Sequence, residues 1–241
     1  MKPLIKKLLR SAPAALPELA DYVELRRSKR AKRLGLRLDT KKRLFILTVP
    51  KGMPLHRAYN FAIEHEEWME QKLAELPAPI KLRHGLRVPL FGTMHTIKIQ
   101  YDKHAKRTDI TLAGGILLVR TNKEDPSARI IRFLRQEARE RLYALSQEKA
   151  AQIGKKIKGV AVRDTKSRWG SCSADGNLSY SWRLVFAPYE SFDYVVAHEV
   201  AHLKHLNHGK KFWMLCEELS EDYDTGHSWM KKNSYELMRY C

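Results

Sequence analysis

The chain has 241 residues, 44% of them hydrophobic, with 45 Lys and Arg against 27 Asp and Glu, a formal net charge of +18. Such length and apolar content exclude a disordered or fibrous chain and suffice for one large or two small folded domains. Three cysteines, Cys172, Cys216 and Cys241, odd in number and without a CxxC pair, argue against a disulfide framework and a cysteine zinc site and point to a cytoplasmic protein.

Residues 1–21 read as a basic N-terminal segment. Lys2, Lys6, Lys7 and Arg10, with Pro3, Pro13 and Pro17, interrupt its apolar residues, so no signal-peptide core is present. Nowhere does an apolar run approach the length of about 18 residues that a membrane span requires.

Residues 22–124 read as a small basic α+β unit. Two or three strands are expected over residues 22–49, the clearest being Leu44-Phe45-Ile46-Leu47-Thr48-Val49, stopped by Pro50 and Gly52. In this region the charge is concentrated: ten of the eighteen residues 26–43 are Lys or Arg, from Arg26 to Arg43, against the single acid Asp39. Such a field can hold a nucleotide's phosphates, with Arg30 and Arg33 as candidate contacts, or a nucleic acid backbone. Equally, Leu34, Leu36 and Leu38 alternate with Gly35 and Arg37, so the charges can be the solvated face of an amphipathic strand.

A helix is expected over residues 55–76, where Phe61, Ile63, Trp68, Met69 and Leu73 recur at helical spacing before Pro77 and Pro79. Strands follow over residues 96–101, 109–112 and 115–120, with Gly114-Gly115 a tight turn between the last two. The histidines of this half, His56, His65, His84, His95 and His104, lack metal-ligand spacing.

Residues 125–155 read as a long connecting helix. Asp125 can cap it, Pro126 suits its first turn, and Ile130, Ile131, Phe133, Leu134, Leu142 and Leu145 form its apolar side.

The remaining residues, 156–241, read as the catalytic domain. Strands are expected over 157–162 and 178–185, separated by a loop in which Asp175-Gly176 signals a hairpin. Trp169 and Trp182 suit a core better than a substrate contact, and Cys172 a small buried thiol better than a nucleophile.

The most informative stretch is His198-Glu199-Val200-Ala201-His202, an HExxH followed by His205 and His208. Residues four apart on a helix lie on one face, so His198 and His202 can reach one ion. Glu199 projects about 100° around the same helix, placed to act as general base on a metal-bound water. Catalytic zinc takes three protein ligands and keeps an open position. We rank His208 first as the third ligand, an acidic group among Glu217, Glu218 and Glu221 second, and His205 third. For His208 to return to the ion the helix must stop, and Asn207 and Gly209 both tolerate the left-handed conformation that ends helices. Tyr194, Val195, Val196, Ala197, Val200, Ala201 and Leu203 make the helix apolar almost all round, and a glutamate in such a helix demands compensation by metal, water or another polar group. Tyr180, Arg183, Tyr189 and Tyr223 are candidates for stabilising an oxyanion, Arg183 also for contacting substrate or phosphate.

The HExxH with His208, the segment Lys166-Ser167-Arg168-Trp169-Gly170-Ser171-Cys172-Ser173, Ser181-Trp182-Arg183-Leu184 and His208-Gly209-Lys210-Lys211-Phe212-Trp213 together resemble the YgjP-like metallopeptidase family, related to the SprT-like and WLM zinc peptidases. The basic run Arg26-Arg27-Ser28-Lys29-Arg30-Ala31-Lys32-Arg33 fits as well. The resemblance implies a minimal zincin core of short sheet plus HExxH helix within an α+β fold. It further implies that His198, His202 and His208 bind Zn2+, that Glu199 is the catalytic base, and that the substrate is a peptide or protein. It also carries an attribution of UTP pyrophosphohydrolase activity, and, by analogy with SprT-like proteins, a nucleic-acid-associated protease recruited by its basic unit. A metzincin is disfavoured, since His205 stands where HExxHxxGxxH has glycine.

Overall fold

The computed structural model describes residues 19–39, 42–76, 78–165 and 168–240; most of the expected N-terminal segment, and Lys166-Ser167 of the family-like motif, lie outside them. The chain is α+β and divides into two compact units, Met1–Pro77 and Ala78–Cys241. The sequence placed boundaries instead at 21/22, 124/125 and 155/156. The division falls after Pro77 because the strands of residues 87–121 share one hydrophobic cluster with the long helix and everything beyond it: Val88, Ile97, Leu117, Ile130, Leu134, Tyr180, Trp182 and Val196 are all buried in it.

In the first unit β1 (Val23–Ser28), β2 (Gly35–Asp39) and β3 (Leu44–Pro50) form a sheet of order β1-β3-β2, with β3 central, parallel to β1 and antiparallel to β2. Phe45, Leu47 and Val49 bury one face of β3 against Ala58, Ala62 and Met69. The single helix expected over residues 55–76 is two, α1 (Leu55–Glu64) and α2 (Glu66–Ala74). They part at His65, whose backbone leaves helical geometry at φ −110° and ψ 9° and whose Nδ1 lies 2.8 Å from the Phe61 carbonyl oxygen.

The second unit opens with β4 (Arg87–Leu90), β5 (Thr93–Tyr101), β6 (Asp109–Ala113) and β7 (Ile116–Thr121), in the order β4-β5-β7-β6. Strand β4 escaped the sequence reading. Its hairpin to β5 turns on Phe91 and Gly92, both at positive φ, 52° and 81°. The expected turn at Gly114-Gly115 is present, with φ 55° and 72°, the two left-handed residues that a type I′ hairpin needs.

Helix α3 (Ser127–Gln152) crosses the unit. Asp125 accepts from the Ser127 backbone N–H at 2.9 Å, and at the other end Lys155 N–H donates to the Ala150 carbonyl across Gly154, left-handed at φ 64°. Beyond it β8 (Gly159–Arg163), β9 (Gly170–Cys172) and β10 (Asn177–Ser181) form a sheet of order β8-β10-β9, β9 antiparallel to β10 and β8 parallel to it. The strand expected to run to 185 ends at Ser181. Its Oγ caps a 3-10 turn, Trp182–Phe186, by accepting from Arg183 N–H, and the turn packs Trp182, Leu184 and Phe186 into the core. Three helices complete the fold: α4 (Tyr189–Ala201), α5 (Lys210–Leu219) and α6 (Tyr223–Asn233).

Two internal devices hold α4 in place. At Gly226 a Cβ would lie 2.7 Å from the Tyr194 Cβ, so α6 crosses α4 at a distance only glycine permits. Asp193, wholly buried on α4, meets Lys149 of α3 at 2.5 Å and accepts from Glu221 N–H at 2.8 Å, while Lys149 Nζ donates to the Leu219 carbonyl. One ion pair thus joins α3, α4 and the end of α5.

Candidate metal centre

Helix α4 ends on the motif itself. Ala201 is its last residue, and His202 still has helical φ and ψ, so His198 and His202 share a face at the helix's C-terminal end. The chain leaves through N–H bonds from Leu203 to Val200 and from Lys204 and His205 to Ala201. The helix therefore ends about six residues before the expected break at Asn207. Neither Asn207 nor Gly209 is left-handed; Gly209, at φ −78° and ψ 178°, instead caps the start of α5.

This early exit brings His208 back. His198, His202 and His208 each present a ring nitrogen within 4.8 Å of the others, and the Nε2 atoms of His198 and His208 are 3.2 Å apart. His202 Nδ1 lies 3.0 Å from the His205 carbonyl oxygen, which orients the ring and leaves its Nε2 for the cluster. His205 thus contributes its backbone rather than its imidazole. The acidic alternatives also stay out: Glu217 and Glu218 are exposed on α5, and Glu221 accepts from the Tyr189 hydroxyl at 2.9 Å. Phe212 backs all three imidazoles, with ring centroids 4.9, 4.5 and 4.7 Å from those of His198, His202 and His208.

Glu199 is only 6% exposed. Burial pushes its carboxyl up to about 7, against the opposing pull of Arg168, so it can take and release a proton near neutrality. It packs on the backbone of β9: a Cβ on Gly170 would lie 2.7 Å from the Glu199 Cδ. Burial likewise drives the His198 ring down to about 4, helped by His202, His208 and His227, and lowers His202. Neutral imidazole is the ligating form, and three such nitrogens within 4.8 Å of one another are a set that could hold a divalent metal ion.

The other candidates are placed elsewhere. Arg183 is buried, its guanidinium bonded to Asp164, donating to the Tyr240 carbonyl at 3.3 Å and lying over the Trp182 ring; it is spent on the core and offers nothing to a ligand. Arg30 and Arg33 are exposed between β1 and β2 in the other unit. Of the same basic run, Arg27 donates to the Lys51 carbonyl, Lys42 pairs with Glu24 at 2.8 Å, and Arg43 donates to the Leu73 carbonyl at 3.3 Å. Among the tyrosines, Tyr180 is fully buried on Ser146 Oγ at 3.0 Å, Tyr189 is committed to Glu221, and Tyr223 stacks on His227. The sequence assigned no individual role to Gly170 or Arg168 and passed over His227. A lone histidine on a separate helix carries no spacing signal, and the glycine shows its purpose only once Glu199 is packed against it.

Three comparisons bear on this arrangement. A family model described as YgjP-like, metallopeptidase domain, matches residues 32–233. No curated protein matches the chain. Among solved structures, the metallopeptidase zymogen abylysin of Pyrococcus abyssi is 22% identical, with 38% of this chain and 93% of that one covered and a TM-score of 0.34, too low to support an argument about fold. No helix among the described residues is long and apolar enough to cross a membrane.

Proposed function

Because the chain belongs to the YgjP-like metallopeptidase family, we propose that it is a zinc-dependent peptidase in which His198, His202 and His208 hold the ion and Glu199 is the general base. The observation that carries this reading is the convergence of the three histidine nitrogens within 4.8 Å beside a carboxylate that is 6% exposed. When bound, the ion supplies Lewis-acid chemistry, which makes water nucleophilic near neutral pH.

The chain's own residues supply the remainder. Glu199 takes a proton from the attacking water and passes it to the departing amine, a shuttle that its buried place against β9 suits. Gly170 lets the carboxyl lie against β9, and Phe212 excludes water from behind the imidazoles. Strand β9 is an edge of its sheet, so an extended peptide can add to it beside Glu199.

Loading metal-free protein with zinc tests the ligand set. One zinc per chain is expected, together with cleavage of an unfolded protein, and His208→Ala is expected to lose both. Cleavage of UTP to UMP in place of peptide bonds would transfer the site to the phosphoanhydride reading. Such activity would have to do without Arg183.

A further inference from the structure

The solvent side of α3 carries Arg129, Arg132 and Arg139, whose spacings of three and seven residues align them along one side of the helix. None of the three has an acidic partner among the described residues. The nearby acids are already engaged: Glu137 with Arg141, Glu140 with Gln136, and Asp164 with Arg135 and Arg183.

Two adjoining hollows of about 360 and 460 Å³ share Arg132 and Gln136, and the second runs along Val160, Ala161 and Val162 of β8. Successive strand residues point to opposite faces, so three in a row can border one hollow only across the strand's edge. That edge is open. Strand β8 pairs with β10 and with no other strand, and residues 160–162 make no further backbone hydrogen bond among the described residues.

We propose that this groove between α3 and β8 docks an extended acidic polypeptide, which pairs with the β8 edge and sets Asp or Glu side chains against Arg132 and Arg139. A strand edge offers alternating N–H donors and carbonyl acceptors, and only another polypeptide answers both. A phosphate backbone, all acceptors, cannot satisfy the carbonyls. A second copy of this chain would set the same arginines against each other, and a small anion would leave the partly buried Val162 and the neighbouring Phe133 uncovered. The site is independent of the histidine cluster, since β8 and β9 are opposite edges of one sheet.

The test uses the full chain as Glu199→Gln, so that cleavage of the peptides is suppressed. A fluorescein-labelled ten-residue peptide alternating Glu and Val is titrated by anisotropy, beside its Lys–Val counterpart, an alternate-amide N-methylated form and a ten-nucleotide oligo-dT. The Glu–Val peptide binds best, and Arg132→Glu with Arg139→Glu weakens it by about tenfold or more while circular dichroism and melting stay unchanged. N-methylation weakens it as well. The milder Arg132→Gln gives a smaller loss in the same direction, which guards against misfolding of the charge-reversed protein. The proposal is overturned by no measurable binding, by equal affinity in the charge-reversed protein, by indifference to N-methylation, or by tighter, arginine-dependent binding of oligo-dT.

Discussion

Replacing Lys149 by Met exposes how much of the fold depends on one buried charge. Asp193 is wholly buried and the Lys149 side chain 4% exposed, with 2.5 Å between them. Removing the ammonium leaves a carboxylate in the core with a single backbone donor, Glu221 N–H at 2.8 Å, and strands the Leu219 carbonyl that Lys149 had satisfied. Breaking a buried pair from one side costs about 3–5 kcal/mol. For a unit of this size that corresponds to a fall in melting temperature of roughly 6–20 °C, at about 2–4 °C per kcal/mol. Adding Asp193→Asn in the same chain removes the orphaned charge yet keeps an oxygen for Glu221 N–H, so the double variant should recover about half of the loss or more. Melting of the wild type, Lys149→Met, Asp193→Asn and the double variant, followed by circular dichroism, completes the cycle. Additive losses, or a single-variant cost below about 1 kcal/mol, would refute the reasoning that the two charges answer each other.

Three further predictions rest on other contacts. Gly170→Ala places a Cβ 2.7 Å from the Glu199 Cδ, and displacing that carboxyl should lower kcat/KM by about a hundredfold with zinc content unchanged; a full rate would show that Glu199 has room to move. Gly226→Ala presses on Tyr194 and should cost about 1–3 kcal/mol by thermal melting, whereas an unshifted transition would mean that α4 and α6 part freely. Burial, assisted by Glu199, pushes the Cys172 thiol up to about 11, so its reactive thiolate is scarce at pH 8 and grows only as pH climbs toward that value. Alkylation at pH 8, read by mass spectrometry on the Cys172 peptide, should run about a hundredfold slower than in a free peptide; equal rates would contradict the burial.

The parts of the site that follow from spacing were legible in the sequence. HExxH places two imidazoles and a carboxylate because a helix repeats every 3.6 residues, and the apolar residues around His198 already announced a buried helix. His208 was also singled out, and the fold brings it to the other two histidines, yet the bend that delivers it was misplaced. The sequence pointed to Asn207 and Gly209 by their tolerance of left-handed backbone, whereas the turn is built at residues 202–205 from ordinary conformations and held by the His202 bond to the His205 carbonyl. Nothing in residue preference signals such a bond, which depends on a side chain folding back on its own chain.

Longer-range features were less legible. Periodicity carried one helix through His65, where the chain in fact breaks, and it extended β10 into a 3-10 turn whose residues are as apolar as a strand's. Arg183 read as a candidate for contacting substrate or phosphate, or for stabilising an oxyanion. Its purpose is Asp164, nineteen residues away in sequence and adjacent only in the fold. The unit boundary after Pro77 was hidden for a related reason, since β4 to β7 alternate like any half-buried sheet and only packing shows that they share a core with α3 and α4.

Zinc-loaded wild type and Glu199→Gln, compared on an unfolded protein and on UTP in parallel with zinc measured in both, give the most direct test. A zinc peptidase with Glu199 as its base requires that both proteins hold one zinc per chain, that the wild type cuts peptide bonds and that the variant does so at least a hundredfold more slowly. Cleavage undiminished in the variant, or UMP formed from UTP with the protein substrate left intact, would contradict it.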